Sequence, residues 1–224
     1  MFDRPRTFAL PFAGGVAAFC GFPFAADVRA RFGALLAATA HVEVEAAVRL
    51  LCLHQAVEGA RVGTPEFVFS RGPDVIRGSD LPTGFAAVLS GHVHRGQRLA
   101  RALDGTPLPA PVLYPGSVER TSFAERRETK GYLVLRIRPD RAGGHLEGYD
   151  FFPLPARPMF RMTLEASGHA PLETLRRQLA ALPADAIVRL HAAVPGITSA
   201  LLREIAPAGM NIDLAWTVGW AGAS

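Results

Sequence analysis

Val48-Arg49-Leu50-Leu51-Cys52-Leu53 is a nearly continuous apolar run in the first quarter of the chain. A run of this kind is typical of a strand that other layers of a protein cover on both sides. The upstream run Val16–Phe22 predicts a second short buried strand, and Asp27 is placed to cap a helix between the two. Strand, helix and strand in this order form a βαβ unit, so we expect the two strands to be parallel neighbours.

Further short elements are predicted on either side of this unit. The apolar positions after Asp27 have the spacing of one helical face, at Val28, Phe32, Leu35 and Leu36. Later strands are predicted at Phe85–Leu89, Tyr132–Ile137 and His145–Phe152. Beyond residue 96, the turn signal Asp104-Gly105 and the short connections favour an antiparallel region that follows the parallel one.

The proline-rich segment Pro153–Pro158 is the best candidate for a domain boundary, which divides the chain into residues 1–155 and 156–224. Beyond it, apolar periodicities alternate between those of strands and helices. They predict a compact β-α-β-α-β module with strands at Met159–Leu164, Ala186–Leu190 and Asn211–Val218 and helices that begin at Pro171 and Thr198.

Composition and charge indicate an ordinary globular protein. The net charge of +4 permits binding to an anionic polymer without demanding it. Cys20 and Cys52 each lie in an apolar run, so we expect buried, reduced thiols and a cytoplasmic location.

Glycine and proline interrupt the apolar stretch Phe8–Ala26, which favours strand, turn and strand over a signal peptide. No stretch is long and apolar enough to span a bilayer, so no membrane partner is expected.

Three histidines follow predicted strands. His54 comes directly after Leu53, and His92 and His94 follow Phe85–Leu89 through Ser90-Gly91. In open α/β sheets, ligands gather at the carboxyl ends of the strands. Residues two apart in an extended segment point the same way, so His92 and His94 are expected to face one centre, with Gly91 providing a sharp turn. A single histidine at a strand end is most often a hydrogen-bonded structural residue, but the three together favour a metal site.

The segment Gly91-His92-Val93-His94 resembles the last metal motif of the calcineurin-like metallophosphoesterases, and Leu53-His54-Gln55 resembles their preceding single-histidine motif. The segments Tyr114–Arg120 and Lys130–Tyr132 are similar to those that follow in the SbcD-type DNA repair exonucleases. The similarity runs from about Val16 to Ile137. The expected fold is therefore α/β: the C-terminal part of a metallophosphoesterase β-sandwich flanked by helices, followed by a small cap domain.

The resemblance implies the chemistry and the partners of the site. His54 and His92 would bind one divalent ion and His94 a second, with manganese as the expected metal. Two such ions hold a bridging hydroxide and stabilise the attacking and leaving oxygens of a phosphodiester. The implied substrate is DNA, and the implied partner is an ABC-type ATPase subunit with a long coiled coil.

The carboxylate half of the family's site is absent from the sequence. The family's Asp-x-His, Gly-Asp-x-x-Asp and Gly-Asn-His motifs have no counterpart here, and the only asparagine is Asn211. No catalytic general-acid histidine can therefore be assigned. The simplest interpretation is a chain that lacks the upstream part of a normal domain, and the alternative is a degenerate homologue.

Two expectations follow from the absent motifs. Without a bridging carboxylate two cations repel each other, so the chain alone should bind at most one ion, weakly, through the three histidines. A missing half of the sheet would also expose an apolar strand edge, which invites pairing with another chain, including a homodimer.

Secondary site residues are less distinctive. Gln55 and Arg95 flank the histidines and are placed to contact phosphate, or are solvated loop residues. Ser117 is placed to support the metal loop from behind, or belongs to a simple turn at Pro115-Gly116. The basic residues between Arg120 and Lys130 are interleaved with Glu119, Glu125 and Glu128, which favours a solvated face over a DNA groove.

These patterns leave competing functions. The first is a metal-dependent phosphodiesterase, namely a DNA exonuclease or endonuclease of the SbcD type. The second is a phosphoesterase that acts on small phosphoesters. The third is a non-catalytic scaffold that keeps the fold for DNA binding or subunit docking.

Overall fold

The computed structural model describes residues 2–63, 66–164, 170–192, 194 and 196–216. This part of the chain is mixed α/β, with many more residues in strands than in helices. The chain divides into two compact units, residues 1–155 and 156–224, and the boundary falls within the proline-rich segment 153–158.

The first unit contains one α-helix and twelve strands among its described residues. In chain order they are β1 (Arg6–Phe12), β2 (Gly15–Gly21), α1 (Val28–Ala37), β3 (Val48–Leu53), β4 (Ala56–Val57), β5 (Arg61–Val62), β6 (Phe67–Val68), β7 (Val75–Ile76), β8 (Ala87–Ser90), β9 (Gln97–Arg101), β10 (Pro107–Tyr114), β11 (Gly131–Arg138) and β12 (His145–Pro153). Short 3-10 turns lie at His41–Glu43, Gly78–Asp80 and Phe123–Glu125.

A six-stranded sheet in the order β1-β2-β3-β8-β10-β9 organises this unit. β2, β3, β8 and β10 run parallel to one another, and the edge strands β1 and β9 are antiparallel to them. The predicted βαβ unit is therefore confirmed, because β2 and β3 are parallel neighbours on either side of α1. The predicted change to antiparallel hairpins is confirmed for β9 with β10 and for β11 with β12.

The six-stranded sheet is covered on both faces, which explains the continuous apolar sequence of β3. Leu51 and Leu53 belong to the core on the α1 side, together with Phe32. Val48 and Leu50 belong to a second core on the opposite face, where side chains of β11 and β12 pack. Alternate residues of one strand thus enter two different cores.

The start of α1 differs from the prediction in one respect. Asp27 occupies the N-cap position, but it has φ 53° and its side chain makes no capping hydrogen bond. An N-cap side chain reaches the first turn from extended backbone, and the left-handed conformation of Asp27 prevents this. Its backbone N–H instead donates to Asp74 Oδ1 at 2.7 Å.

The second unit has the predicted β-α-β-α-β order. Its elements are β13 (Met159–Leu164), α2 (Pro171–Ala180), β14 (Ile187–Ala192), α3 (Ser199–Ile205) and β15 (Asn211–Trp216). The three strands form a parallel sheet in chain order, with Leu175 and Leu179 of α2 packed in its core. The predicted continuation of the last strand to Val218 lies outside the described residues.

The edge strand β1 exposes three large apolar side chains, Phe8 at 38%, Leu10 at 55% and Phe12 at 42%. Pairing of an exposed strand edge with another chain stays a prediction. None of the helices in the described ranges has the length and apolar character needed to cross a bilayer.

Neither cysteine of the native chain should react readily with a thiol reagent at about pH 8. Burial raises the pKa of the Cys52 thiol to about 12, with a smaller contribution from the neighbouring Cys20, and Cys20 itself is fully buried. Because the thiolate is the nucleophile, thiol–disulfide exchange with such a reagent should be on the order of a hundredfold slower than in the denatured chain. Reaction with Ellman's reagent with and without guanidinium measures this ratio, and equal rates would contradict the packing of β3.

Candidate metal centre

The carboxyl ends of β3 and β8 place His54 beside His92. In the sheet register Leu53 pairs with Ser90, so the residues that follow both strands emerge at the same edge. The two imidazole rings have their centres 5.5 Å apart and meet edge to face. The predicted convergence of two strand ends is therefore present in the structure.

The loop between β8 and His92 is shaped differently from the prediction. Gly91 is not in the left-handed region, and it is needed instead because a Cβ there would lie 2.7 Å from Nδ1 of His54. The residue with positive φ is His92, at 72°. This conformation costs a non-glycine residue on the order of 1 kcal/mol and is concentrated at functional sites.

The left-handed backbone at His92 also changes where the next histidine points. The extended geometry expected at His92 is absent, but His92 and His94 still line one cavity. His92 stacks on Phe24 with ring centres 5.6 Å apart. The Nδ1 atom of His94 lies 3.0 Å from the Thr121 hydroxyl and 3.2 Å from Oε1 of Glu125.

His92 is held in the form that binds metals. Burial lowers its pKa below the ordinary histidine value, and the neighbouring imidazoles of His54 and His94 lower it further. The Asp74 carboxylate opposes this shift only weakly. Near neutral pH the ring is therefore uncharged, and one nitrogen has a lone pair available for a cation.

Glu125 and Lys130 form a buried ion pair beneath His94. Nζ of Lys130, whose side chain is 1% exposed, lies 2.7 Å from Oε2 of Glu125 and 2.9 Å from Oε2 of Glu128, and donates to the His94 carbonyl at 3.0 Å. Burial raises the pKa of Glu125, but hydrogen bonds from Lys130, Thr121 and His94 outweigh it and bring the pKa down to about 2. The prediction of a solvated basic face is therefore wrong for this part of the segment.

Ser117 supports the His94 loop mainly through its backbone. Its N–H donates to the His94 carbonyl at 3.1 Å, and its hydroxyl donates to the Glu119 carbonyl at 2.7 Å. Gly116 precedes it with φ 82°, and a Cβ there would lie 2.8 Å from the His94 carbonyl oxygen. The segment Pro115-Gly116-Ser117 thus approaches the His94 loop closely, which is the supporting position predicted for Ser117.

Gln55 is buried, unlike either role predicted for it. The residue has no exposed area, and its side-chain amide donates to the Ala25 carbonyl at 2.8 Å. Its backbone carbonyl accepts hydrogen bonds from Ser90 at 2.8 Å and from the Tyr114 hydroxyl at 3.1 Å. Gln55 therefore anchors the turn that presents His54, and it does not face solvent or a phosphate.

Arg95 lies at the mouth of the site. Together with His92 and His94 it lines a cavity of about 270 Å³. A cleft of about 470 Å³ also includes Arg95 and extends to Tyr149 and Phe151. Glu66 accepts a hydrogen bond from the Arg95 guanidinium at 2.8 Å. This bond keeps the positive charge of Arg95 next to the histidines. Phosphate binding by Arg95 stays a prediction.

His54 and His92 fit a shared metal ion. Imidazoles whose nitrogens lie about 2.1 Å from one ion have ring centres about 5–6 Å apart, and the observed 5.5 Å is in that range. Within the described ranges, no three His, Cys, Asp or Glu side chains are grouped as a ready-made metal site. His94 nevertheless lies near enough to His92 to lower the pKa of that ring, and both line the same cavity.

The chain matches no family model and no curated protein. The resemblance to metallophosphoesterases therefore depends on the motif residues themselves.

Sequence reasoning missed the roles of Thr121, Glu125 and Lys130. One signal was available, because Lys130 is the only lysine among 24 Lys and Arg residues. A lysine ammonium is compact and donates three hydrogen bonds in separate directions, which suits a buried site with several acceptors. The pairing with His94 had no local signal, since 31 residues separate His94 from Glu125.

Replacing Tyr114 with Phe should destabilise the chain by about 1–3 kcal/mol. The buried Tyr114 hydroxyl accepts a hydrogen bond from Val57 N–H at 2.8 Å, which Phe would leave without a partner. Urea unfolding followed by circular dichroism measures the effect. Tyr132→Phe is the matched control, because its ring is 46% exposed, and it should change stability by less than about 0.5 kcal/mol. Equal effects of the two variants would show that the Tyr114 hydroxyl does not stabilise the segment from Gln55 to Val57.

Proposed function

We propose that this chain carries the histidine ligands of a metal-dependent phosphodiesterase related to the calcineurin-like metallophosphoesterases. The observation that carries the proposal is the 5.5 Å approach of the His54 and His92 rings at the ends of two parallel strands. The left-handed backbone of His92 and the lowered pKa of its ring give independent support. The six-stranded sheet with cover on both faces is compatible with half of a metallophosphoesterase sandwich.

His54 and His92 would hold one divalent ion, for which manganese is the family's expected metal. Such an ion supplies Lewis acidity and lowers the pKa of a bound water. His94 would contribute to a second position through its remaining nitrogen, Nε2. Arg95, whose guanidinium lies at the same cavity, would orient the anionic phosphoester before the chemical step.

We propose DNA as the substrate and an ABC-type ATPase with a coiled coil as the partner, both by resemblance to the SbcD-type exonucleases. The net charge of +4 is compatible with a polyanionic substrate. The cleft that extends to Tyr149 and Phe151 has room for an organic group beside the phosphate. The two free, poorly reactive thiols are compatible with a cytoplasmic location.

The chain alone should bind a single Mn²⁺ or Zn²⁺ ion, weakly. Three imidazoles without a bridging carboxylate do not offset the repulsion between two cations. Isothermal titration should therefore give a stoichiometry of about one, and His92→Ala should abolish the signal. His145→Ala, at the exposed start of β12, is the matched control and should leave binding unchanged. Two tight sites would contradict the prediction of a single ion, and binding that survives His92→Ala would contradict the proposed ligand.

Hydrolysis should depend on the same histidine. With Mn²⁺, turnover of bis(p-nitrophenyl) phosphate and of single-stranded DNA should fall at least about tenfold in His92→Ala, because the ion stabilises charge in the transition state. His145→Ala should retain the original rate. DNA binding without metal-dependent hydrolysis in the unmodified chain would contradict an enzyme and favour the scaffold.

A further inference from the structure

His94 is held through one ring nitrogen by a side chain outside its own loop. Nδ1 lies 3.2 Å from Oε1 of Glu125 and 3.0 Å from the Thr121 hydroxyl. That hydroxyl donates its own hydrogen to the same Oε1 at 2.8 Å, and Ser122 donates to it as well. An ionised carboxylate only accepts hydrogen bonds, so the nitrogen that faces it must carry a proton.

The position of the Glu125 carboxylate is set by a cation on its other side. Nζ of Lys130 lies 2.7 Å from Oε2 of Glu125, and the side chains of Lys130 and Glu125 are 1% and 10% exposed. The same ammonium donates to the His94 carbonyl at 3.0 Å. One buried ion pair therefore holds both the backbone and the ring of His94. A charge buried this deeply is costly to leave unpaired, so the arrangement resists rearrangement.

We propose that Glu125 is a positioning residue that fixes His94 in the tautomer protonated on Nδ1, with Lys130 holding the carboxylate in place. The lone pair of the ring then resides on Nε2, the nitrogen left available to the cavity that His92 and His94 line. The use of Nε2 as a metal ligand rests on the proposed function, whereas the assignment of the tautomer rests only on the hydrogen bonds of Nδ1.

The isosteric variant Glu125→Gln should reverse the tautomer. Lys130 requires an acceptor, so the Gln carbonyl oxygen should face the ammonium and its NH₂ group should face His94. Nδ1 must then accept a hydrogen bond, and the proton moves to Nε2. A structural role alone would leave the ring proton in place, because Gln has the shape of Glu.

Two variants isolate this effect. Glu128→Gln removes the other carboxylate of Lys130, at 2.9 Å, without touching His94. Thr121→Val removes the hydroxyl beside Nδ1 but keeps Glu125. Both variants should keep the proton on Nδ1. A reversed tautomer in Thr121→Val would assign the positioning to Thr121 and overturn the role of Glu125.

Long-range ¹H–¹⁵N correlation of the histidine rings reads the tautomer in the metal-free chain, at a pH about two units above the ordinary histidine pKa. The His94 signals are assigned by their loss in His94→Gln. We expect protonated Nδ1 in the unmodified chain and protonated Nε2 in Glu125→Gln. Protonated Nε2 in the unmodified chain, or no change in a folded Glu125→Gln, would overturn the proposal.

Metal affinity provides the second measurement. Removal of a partner that orients a ligand lowers affinity by about 10–100-fold, so the affinity of the chain for its single Zn²⁺ ion should fall by that factor in Glu125→Gln and not in Thr121→Val. If the unmodified chain binds no metal ion, the proposed function is contradicted, but the tautomer of His94 is not. A wrong tautomer would leave metal binding by His54 and His92 intact.

Discussion

The parallel pairing of β3 with β8 is the constraint on which the candidate centre depends. Because Leu53 lies opposite Ser90, His54 and His92 leave the sheet at the same level. Ser90 reinforces this register, since its hydroxyl accepts from Gln55 N–H and donates to the Gln55 carbonyl. A shift of one residue would turn every side chain of β3 to the other face, and the two cores that cover the strand would oppose it.

Much of the fold could be predicted because its signals are local. The apolar run of β3 and the spacing of Leu175 and Leu179 in α2 are periodic patterns that burial imposes directly on the sequence. The two histidines that meet could also be predicted, since strand ends in a parallel sheet share an edge. Each of these inferences needs only the identity and spacing of neighbouring residues.

The rest of the site could not be predicted because it depends on backbone conformation and on distant contacts. Extended geometry is the default after a strand, and nothing in the sequence marks the positive φ of His92. Asp27 has the side chain of a good cap, but its own left-handed conformation removes that use. Glu125 looks like one of several surface acids, and only the tertiary fold shows it to be buried.

Lys130 is the only lysine in a chain that otherwise uses arginine for its positive charges. A chain whose cations are otherwise all arginine has little use for lysine at positions where any positive charge serves. The planar, forked guanidinium cannot replace an ammonium that is 1% exposed and surrounded by two carboxylates and a carbonyl oxygen. In a chain whose cations are nearly all arginine, a single buried lysine therefore indicates a position where the shape of the cationic group matters more than its charge.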